Sequence, residues 1–382
     1  MALTQELPYR ADTAAWFDAF ADQPWSVFLD SGRHDPAQSR YDIVAAEPWA
    51  TLVTRGAMTE IRTAEGVRIS PEDPFSLLRA SVCPGTEPPG PLPFYGGAIG
   101  YFGYDLGRRL ERLPSIAIDD EQMPEMALGI YPWAIVVDHL EERSWLVGSG
   151  PRQPGPGAWA ALCRRFSEPP QERVRSPFRT LSSVRSSFSE RTYIAAFDRI
   201  MRYIRDGDCY QVNLAQRFDV QAAGDPWSAY QALRIMNPTP FAAYLHLPFA
   251  HVLSASPERF LQVRAGRVMT QPIKGTRPRA GHPRLDAQRA RELRASAKDR
   301  AENVMIVDLL RNDLAKNCRV GSVRVPKLFE VQSFANVHHL VSTVEGEPAP
   351  GRDALDLLRG CFPGGSITGA PKVRAMQIIE EL

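Results

Sequence analysis

Apolar positions in the first ~145 residues come in short runs between turn formers, a pattern that predicts strands. Val27-Phe28-Leu29 leads into the turn Asp30-Ser31-Gly32, and Thr51-Leu52-Val53 and Ile130 to Val137 are further runs. Gly66, Pro71, Pro84 to Pro93 and Gly96-Gly97 punctuate them. Gly96 to Gly103 is glycine-rich but does not fit a dinucleotide loop, because Ala98 stands where G-x-G-x-x-G needs its second Gly. Close packing of small residues under a sheet is the expectation there.

Residues 149–187 are rich in Pro, Ser, Gly and Arg without sustained periodicity, which predicts a linker between a region 1–148 and a region 188–382. Order resumes at Ser187-Phe188-Ser189-Glu190, which reads as a capping box. Ile194, Phe197, Ile200, Met201 and Ile204 follow at helical spacing, and Asp206-Gly207 ends the helix. Tyr210, Val212 and Leu214 alternate with Gln211 and Asn213, as in a strand. Further strands are expected at 242–247, 259–263, 268–270 and 337–344. A long helical stretch covers 285–316, with a break near Ser296. A helix at 353–359, a Gly/Ser/Thr loop at 363–371 and a last helix from Lys372 complete the pattern, with no internal repeat. Periodicity thus supports a mixed α/β chain whose N-terminal third is strand-rich.

Composition narrows the function classes. Lys and Arg number 45 against 44 Asp and Glu, a net charge of +1, which gives no reason to expect nucleic acid or a membrane as partner. No apolar run approaches the ~20 residues that span a bilayer, and Met1 to Arg10 has no leader-like apolar core. Cys83, Cys163, Cys209, Cys318 and Cys361 lie far apart with no C-x-x-C pair, which argues against structural zinc and for reduced thiols in the cytoplasm.

Five segments could carry chemistry. In Gln271-Pro272-Ile273-Lys274-Gly275-Thr276-Arg277, a Lys follows a strand and precedes a Gly that permits a tight turn or a close ligand. A partly desolvated amine there is a candidate nucleophile, against the plainer reading of a surface turn Lys. Glu258 in Ser256-Pro257-Glu258-Arg259 is a candidate general acid, or a solvated Glu beside Arg259. On the helix Asp299 to Asp313, Glu302 shares a face with Ile306 and Leu309. It is either a hard oxygen ligand for Mg²⁺ or an ion-pair partner of Lys298 or Arg300. Phe362 to Lys372 is not a Walker A loop, since Ala370 replaces its Lys, yet its glycines could cradle an anion. His338 and His339 are neighbours on a strand, so they point to opposite faces and at most one joins a given site.

In this order the motifs resemble the chorismate-utilising enzymes, which include the large subunits of anthranilate synthase and aminodeoxychorismate synthase, the isochorismate synthases and the salicylate synthases. Leu29 to Gly32, Gly207 to Gln216, Asn237 to Phe241, Ser256 to Arg259, Asp299 to Asp313, His339 to Ser342 and Phe362 to Lys372 carry it over nearly the whole chain. The resemblance implies an α+β fold of two large, mostly antiparallel sheets packed as a sandwich with helices outside, like anthranilate synthase component I. It implies Mg²⁺ held partly by Glu302, and Lys274, Glu258 and His339 as catalytic residues. Gly275, Thr276, Gly364, Gly365, Ser366 and Thr368 would touch chorismate. Ser31, Asn237, Pro238 and Thr239 would line a tryptophan-like amino-acid pocket, in this branch more often structural than regulatory.

Lys in the Pro-Ile-x-Gly-Thr position resembles the aminodeoxychorismate-forming branch, whereas anthranilate-forming members typically carry Ala. That branch implies ammonia from a separate glutamine amidotransferase subunit and an amine adduct at Lys274. Anthranilate formation is the alternative within the family, and a non-catalytic amino-acid-binding or docking protein is the alternative outside it. Members of the family continue for roughly 70 residues beyond the helix that starts at Lys372, so a C-terminally incomplete catalytic region is expected.

Overall fold

The computed structural model describes residues 2–32, 39–82, 90–168 and 173–382; Cys83, and Pro84 to Pro89 of the expected turn region, lie outside them. The chain forms two compact units, one of Met1–Gly103, Met123–Pro177 and Asp225–Glu258, the other of Tyr104–Gln122, Phe178–Gly224 and Arg259–Leu382.

The first unit holds two antiparallel sheets. In the seven-stranded one, Leu3–Leu7, Arg143–Gly148, Trp133–Asp138, Tyr41–Ala45, Ser26–Asp30, Phe241–Leu247 and Ala250–Ser256 lie in that order. The five-stranded one runs Gly66–Ser70, Met58–Thr63, Ala50–Arg55, Met126–Tyr131, Gly97–Phe102. The apolar run Ile130 to Val137 is therefore not one strand. Pro132 divides it, and Met126–Tyr131 and Trp133–Asp138 enter different sheets, each buried along its whole length. Val27, Val136, Val147 and Leu245 of one sheet pack with Ile99, Ala127 and Tyr131 of the other, so the sheets stack face to face. Gly100 is needed there, because a Cβ would lie 2.0 Å from the Ala127 carbonyl oxygen.

Helices cover the opposite face of the larger sheet. Phe17, Phe28, Trp227, Tyr230 and Tyr244 form an aromatic cluster there, with Phe17 and Trp227 centroids 4.6 Å apart. Each such side chain contributes roughly 1.5–3 kcal/mol by leaving water. Two sequence expectations change here. The segment 149–187 is not wholly linker: Pro156–Ser167 is a helix whose Leu162 and Phe166 are buried in this core. Residues 225–258 belong with the N-terminal unit because Phe241–Leu247 pairs with Ser26–Asp30. The helix Pro226–Met236 was not foreseen, although Asp225 before Pro226 is a cap-and-proline signature.

In the second unit, the ten-residue strand Val337–Gly346 pairs antiparallel with Arg267–Gln271, Ile273–Pro278 and Arg324–Ser333, and Arg259–Arg264 adds to Arg267–Gln271. Ser296 breaks the long helical stretch as expected: it ends Pro283–Ala295 and caps Ala297–Ala315, accepting from the Asp299 N–H at 3.3 Å. Helices Ala354–Cys361 and Lys372–Glu381 lie close to their expected places. The capping box of Glu190–Arg205 is Ser189 with Thr192, since Glu190 is already helical and the Ser187 hydroxyl accepts from the Arg217 N–H instead. Its apolar stripe is only partly covered: Ile200 is buried, whereas Ile194 and Phe197 are exposed. Only Gln211–Val212 of the expected strand 210–214 forms a ladder, with Gly369–Ala370. Among the described residues, no helix is long and apolar enough to cross a membrane.

Helix Ala297–Ala315 ties this unit together. Its buried side includes Ile306, Val307, Leu310 and Leu314, but also Asp299, Asn303 and Asp313. Buried polar groups need partners, and each has one. Asp299 pairs with Arg277 at 2.9 Å, Asn303 accepts from the Ser342 hydroxyl at 2.5 Å, and Asp313 pairs with Lys372 at 2.7 Å. One helix is thereby fixed to two strands and to the last helix.

Candidate active site

Lys274 sits on a β-bulge. The pairing of Ile273–Pro278 with Val337–Gly346 shifts register between Ile273 and Thr276, which leaves Lys274 and Gly275 outside the regular ladder. A bulge re-aims a side chain, and this one requires glycine. Gly275 has φ +92°, and a Cβ there would lie 2.9 Å from the Asp299 Cβ. The redirected Lys274 Nζ donates to the Ser366 carbonyl at 3.2 Å.

Ser366 lies in the loop Gly364 to Ala370, which includes the one-turn helix Gly365–Thr368. Its backbone is pressed against neighbours: a Cβ on Gly364 would meet the Phe260 ring at 3.2 Å, and one on Gly365 would meet Leu309 Cδ2 at 2.6 Å. The Thr368 hydroxyl donates back to the Gly364 carbonyl at 3.2 Å. Outside, residues 211–213 clasp the loop: Gln211–Val212 pairs with Gly369–Ala370, and the Asn213 N–H donates to the Thr368 carbonyl at 3.1 Å. At Gly369, with φ +144°, a Cβ would fall 2.1 Å from the Gln211 carbonyl oxygen.

The same clasp reaches Glu302. Its carboxylate accepts from the Gln211 side-chain amide at 3.1 Å and, among the described residues, has no ion-pair partner; Arg300 lies over the Phe329 ring instead. The Gln211 amide oxygen is buried without a hydrogen-bond partner. No group of three or more His, Cys, Asp or Glu side chains among the described residues could hold a metal by itself.

The adjacent histidines diverge, as expected for a strand. His338 contacts Ser333 and Asp286, at 2.8 and 3.0 Å. His339 is buried, its Nδ1 lies 2.9 Å from the Thr276 hydroxyl, and the Phe334 ring stands edge-on to it. Burial lowers the His339 pKa and outweighs the opposing bond with the Gly275 backbone.

The second unit thus brings together Lys274, Gly275, the 364–368 loop and the Gln211–Glu302 pair, with Thr276 and His339 on the same sheet. Glu258 ends the first unit, where its N–H donates to the Ser256 hydroxyl at 3.4 Å. The first unit also contains Ser31, Asn237, Pro238 and Thr239. Ser31 is buried and its hydroxyl donates to Asp42 at 2.7 Å. The chain at Gly32 runs so close to Thr239 that a Cβ would be 2.7 Å from the Thr239 carbonyl oxygen. Thr239 is buried with its hydroxyl unpartnered, and Asn237 is exposed.

In the sequence, Gln211 and Asn213 stand out only as strand residues within the segment Gly207 to Gln216. Their signal was the alternation itself, which puts two amides on the face opposite Tyr210, Val212 and Leu214.

Residues 36–382 match the family of chorismate binding enzymes, and the chain belongs to that family. It is 48% identical to aminodeoxychorismate synthase component 1 of Klebsiella aerogenes over 98% of this chain and 82% of that protein. It is 36% identical to anthranilate synthase component 1 of Mycolicibacterium smegmatis over 95% of this chain and 73% of that one. The crystal structure of anthranilate synthase component I from Streptococcus pneumoniae TIGR4 superposes with TM-score 0.78 at 29% identity, covering 90% of this chain and 77% of that one. The expected mixed α/β fold with large antiparallel sheets and flanking helices is the one observed.

Proposed function

We propose that this protein converts chorismate and ammonia to 4-amino-4-deoxychorismate, as the first component of a two-component synthase whose other subunit is a glutamine amidotransferase. The similarity to aminodeoxychorismate synthase component 1 supports this reading. The single structural observation that carries it is the bulged Lys274, whose amine meets the Gly-rich loop at the Ser366 carbonyl.

The chemistry follows from what that amine can do. One N–H of Lys274 is engaged by the Ser366 carbonyl, and the nitrogen attacks through its lone pair once a proton has been removed from it. It adds at ring C2, the two ring double bonds move from C1=C2 and C5=C6 to C1=C6 and C4=C5, and the C4 hydroxyl departs as water after protonation. Ammonia then attacks C4 and gives up a proton, both double bonds return to C1=C2 and C5=C6, and the C2–N bond to Lys274 breaks, so the lysine amine is regenerated. Glu258 is the proposed proton donor to the hydroxyl, on the strength of its motif. Neutral His339, with Thr276 on Nδ1, is the proposed hydrogen-bond partner of that hydroxyl. Gly275, Thr276, Gly364, Gly365, Ser366 and Thr368 are the proposed substrate contacts.

The donor chemistry beside Gln211 fits Mg²⁺: an oxygen ligand without a cation and a buried amide oxygen without a partner. Such an ion is commonly held by one or two carboxylates with substrate oxygens filling other positions. Glu302 would hold it, and the ion would supply positive charge for a substrate carboxylate.

Ser31, Asn237, Pro238 and Thr239 are the proposed lining of a structural tryptophan-like pocket, supported by the contact of Gly32 with Thr239. A cytoplasmic address is part of the proposal; Cys163, Cys209, Cys318 and Cys361 are free thiols.

Incubation with chorismate, Mg²⁺ and an ammonium salt tests the reaction. Product that becomes 4-aminobenzoate only when a lyase is added is expected. Fluorescent anthranilate formed directly would transfer the protein to the anthranilate branch. Lys274→Ala is expected to lose on the order of 10³-fold or more in turnover.

A further inference from the structure

We propose that Asn213 is a positioning residue for Lys274, acting through the Ser366 carbonyl; the catalytic part of this inference rests on the proposed function. A carbonyl oxygen has two lone pairs, and at Ser366 both are used. Lys274 Nζ and Asn213 Nδ2 each donate to it at 3.2 Å. Ser366 lies in a single helical turn, Gly365–Thr368, whose end carbonyls have no partner within a longer helix. The two side chains supply what the helix does not.

Asn213 holds this turn twice. Its backbone N–H donates to the Thr368 carbonyl at 3.1 Å, and its side chain donates to Ser366. The main-chain bond, with the pairing of Gln211–Val212 and Gly369–Ala370, fixes the turn to the clasp. The side-chain bond fixes where the Ser366 oxygen points. Lys274 has four rotatable side-chain bonds and takes the direction of its amine from that oxygen. Removing only the Asn213 side chain leaves the main-chain clasp in place and takes away the aim of the acceptor. Asn213→Asp keeps the shape but replaces the donating amide by an oxygen that repels the carbonyl.

Two measurements on the whole chain test this, with Asn213→Ala and Asn213→Asp compared to the unsubstituted protein. The first is acetylation of Lys274 by a small amine-reactive reagent without substrate, followed by peptide mass spectrometry, with exposed Lys298 as internal control. The second is chorismate turnover with ammonium. Both variants are expected to raise the Lys274 labelling rate about threefold or more over Lys298. They should lower kcat roughly tenfold, with KM for chorismate changed about twofold or less and thermal unfolding retained. Unchanged labelling would overturn the proposal. So would a loss confined to KM, because that marks a substrate contact. If the unsubstituted chain forms no aminodeoxychorismate, the functional reading fails by itself, and labelling still decides whether Asn213 positions Lys274.

Discussion

Lys372 and Asp313 form a buried ion pair, with Nζ 2.7 Å from Oδ2, and the same nitrogen donates to the Cys361 carbonyl at 2.7 Å. One ammonium group therefore joins the long helix Ala297–Ala315, the last helix and the residue before the Phe362 to Pro371 segment. The other Asp313 oxygen pairs with the more exposed Lys316 at 3.0 Å. Removing one member of a buried pair leaves an uncompensated charge and typically costs 3–5 kcal/mol. Lys372→Met is expected to cost about 3 kcal/mol, the low end because Lys316 remains. Urea unfolding measures it. Lys372→Met combined with Asp313→Asn should recover part of that loss, and a double variant worse than the single one would contradict the pairing as its cause.

Gly275 connects backbone conformation to the site. Its φ of +92° strains any other residue, and a Cβ would press on Asp299, the partner of Arg277. Gly275→Ala is expected to destabilise the chain by about 1–3 kcal/mol from the dihedral alone. It should also move Lys274 off the bulge and lower turnover by on the order of 10²-fold. Denaturation curves and steady-state kinetics report the two effects separately.

His339 predicts a slope of stability with pH. Its folded pKa lies below the ordinary value of about 6.5 because burial disfavours the charged ring. As pH falls from there to the folded value, the unfolded chain takes up a proton that the folded chain does not. Stability therefore falls through that window and levels off below it. His339→Gln is neutral throughout and should flatten this part of the profile. A variant profile parallel to the original across that window would exclude His339 as the source.

Glu302 predicts a dependence on Mg²⁺. Glu302→Gln keeps a group able to meet Gln211 but loses the charge, so half-maximal turnover should need at least roughly tenfold more Mg²⁺. A metal titration of initial rates measures this, and an unaltered titration would remove Glu302 from the metal.

The sequence by itself determined the local elements whose signals are local. Ser296 marked the helix break, and the adjacent histidines had to diverge. The motif order also pointed to the family that residues 36–382 match, because Lys274, Glu302 and the Gly-rich loop form a set no local structure requires. Tertiary structure decided what depends on distant partners. Periodicity could not divide Ile130 to Val137 between two sheets, since both strands are buried on both faces and read as one run. Nor could it place residues 225–258, whose position comes from pairing with Ser26–Asp30. The roles of Gln211 and Asn213 were hidden for the same physical reason: an amide's function is set by which carbonyl or carboxylate the fold brings within about 3 Å, and chain order does not contain that distance.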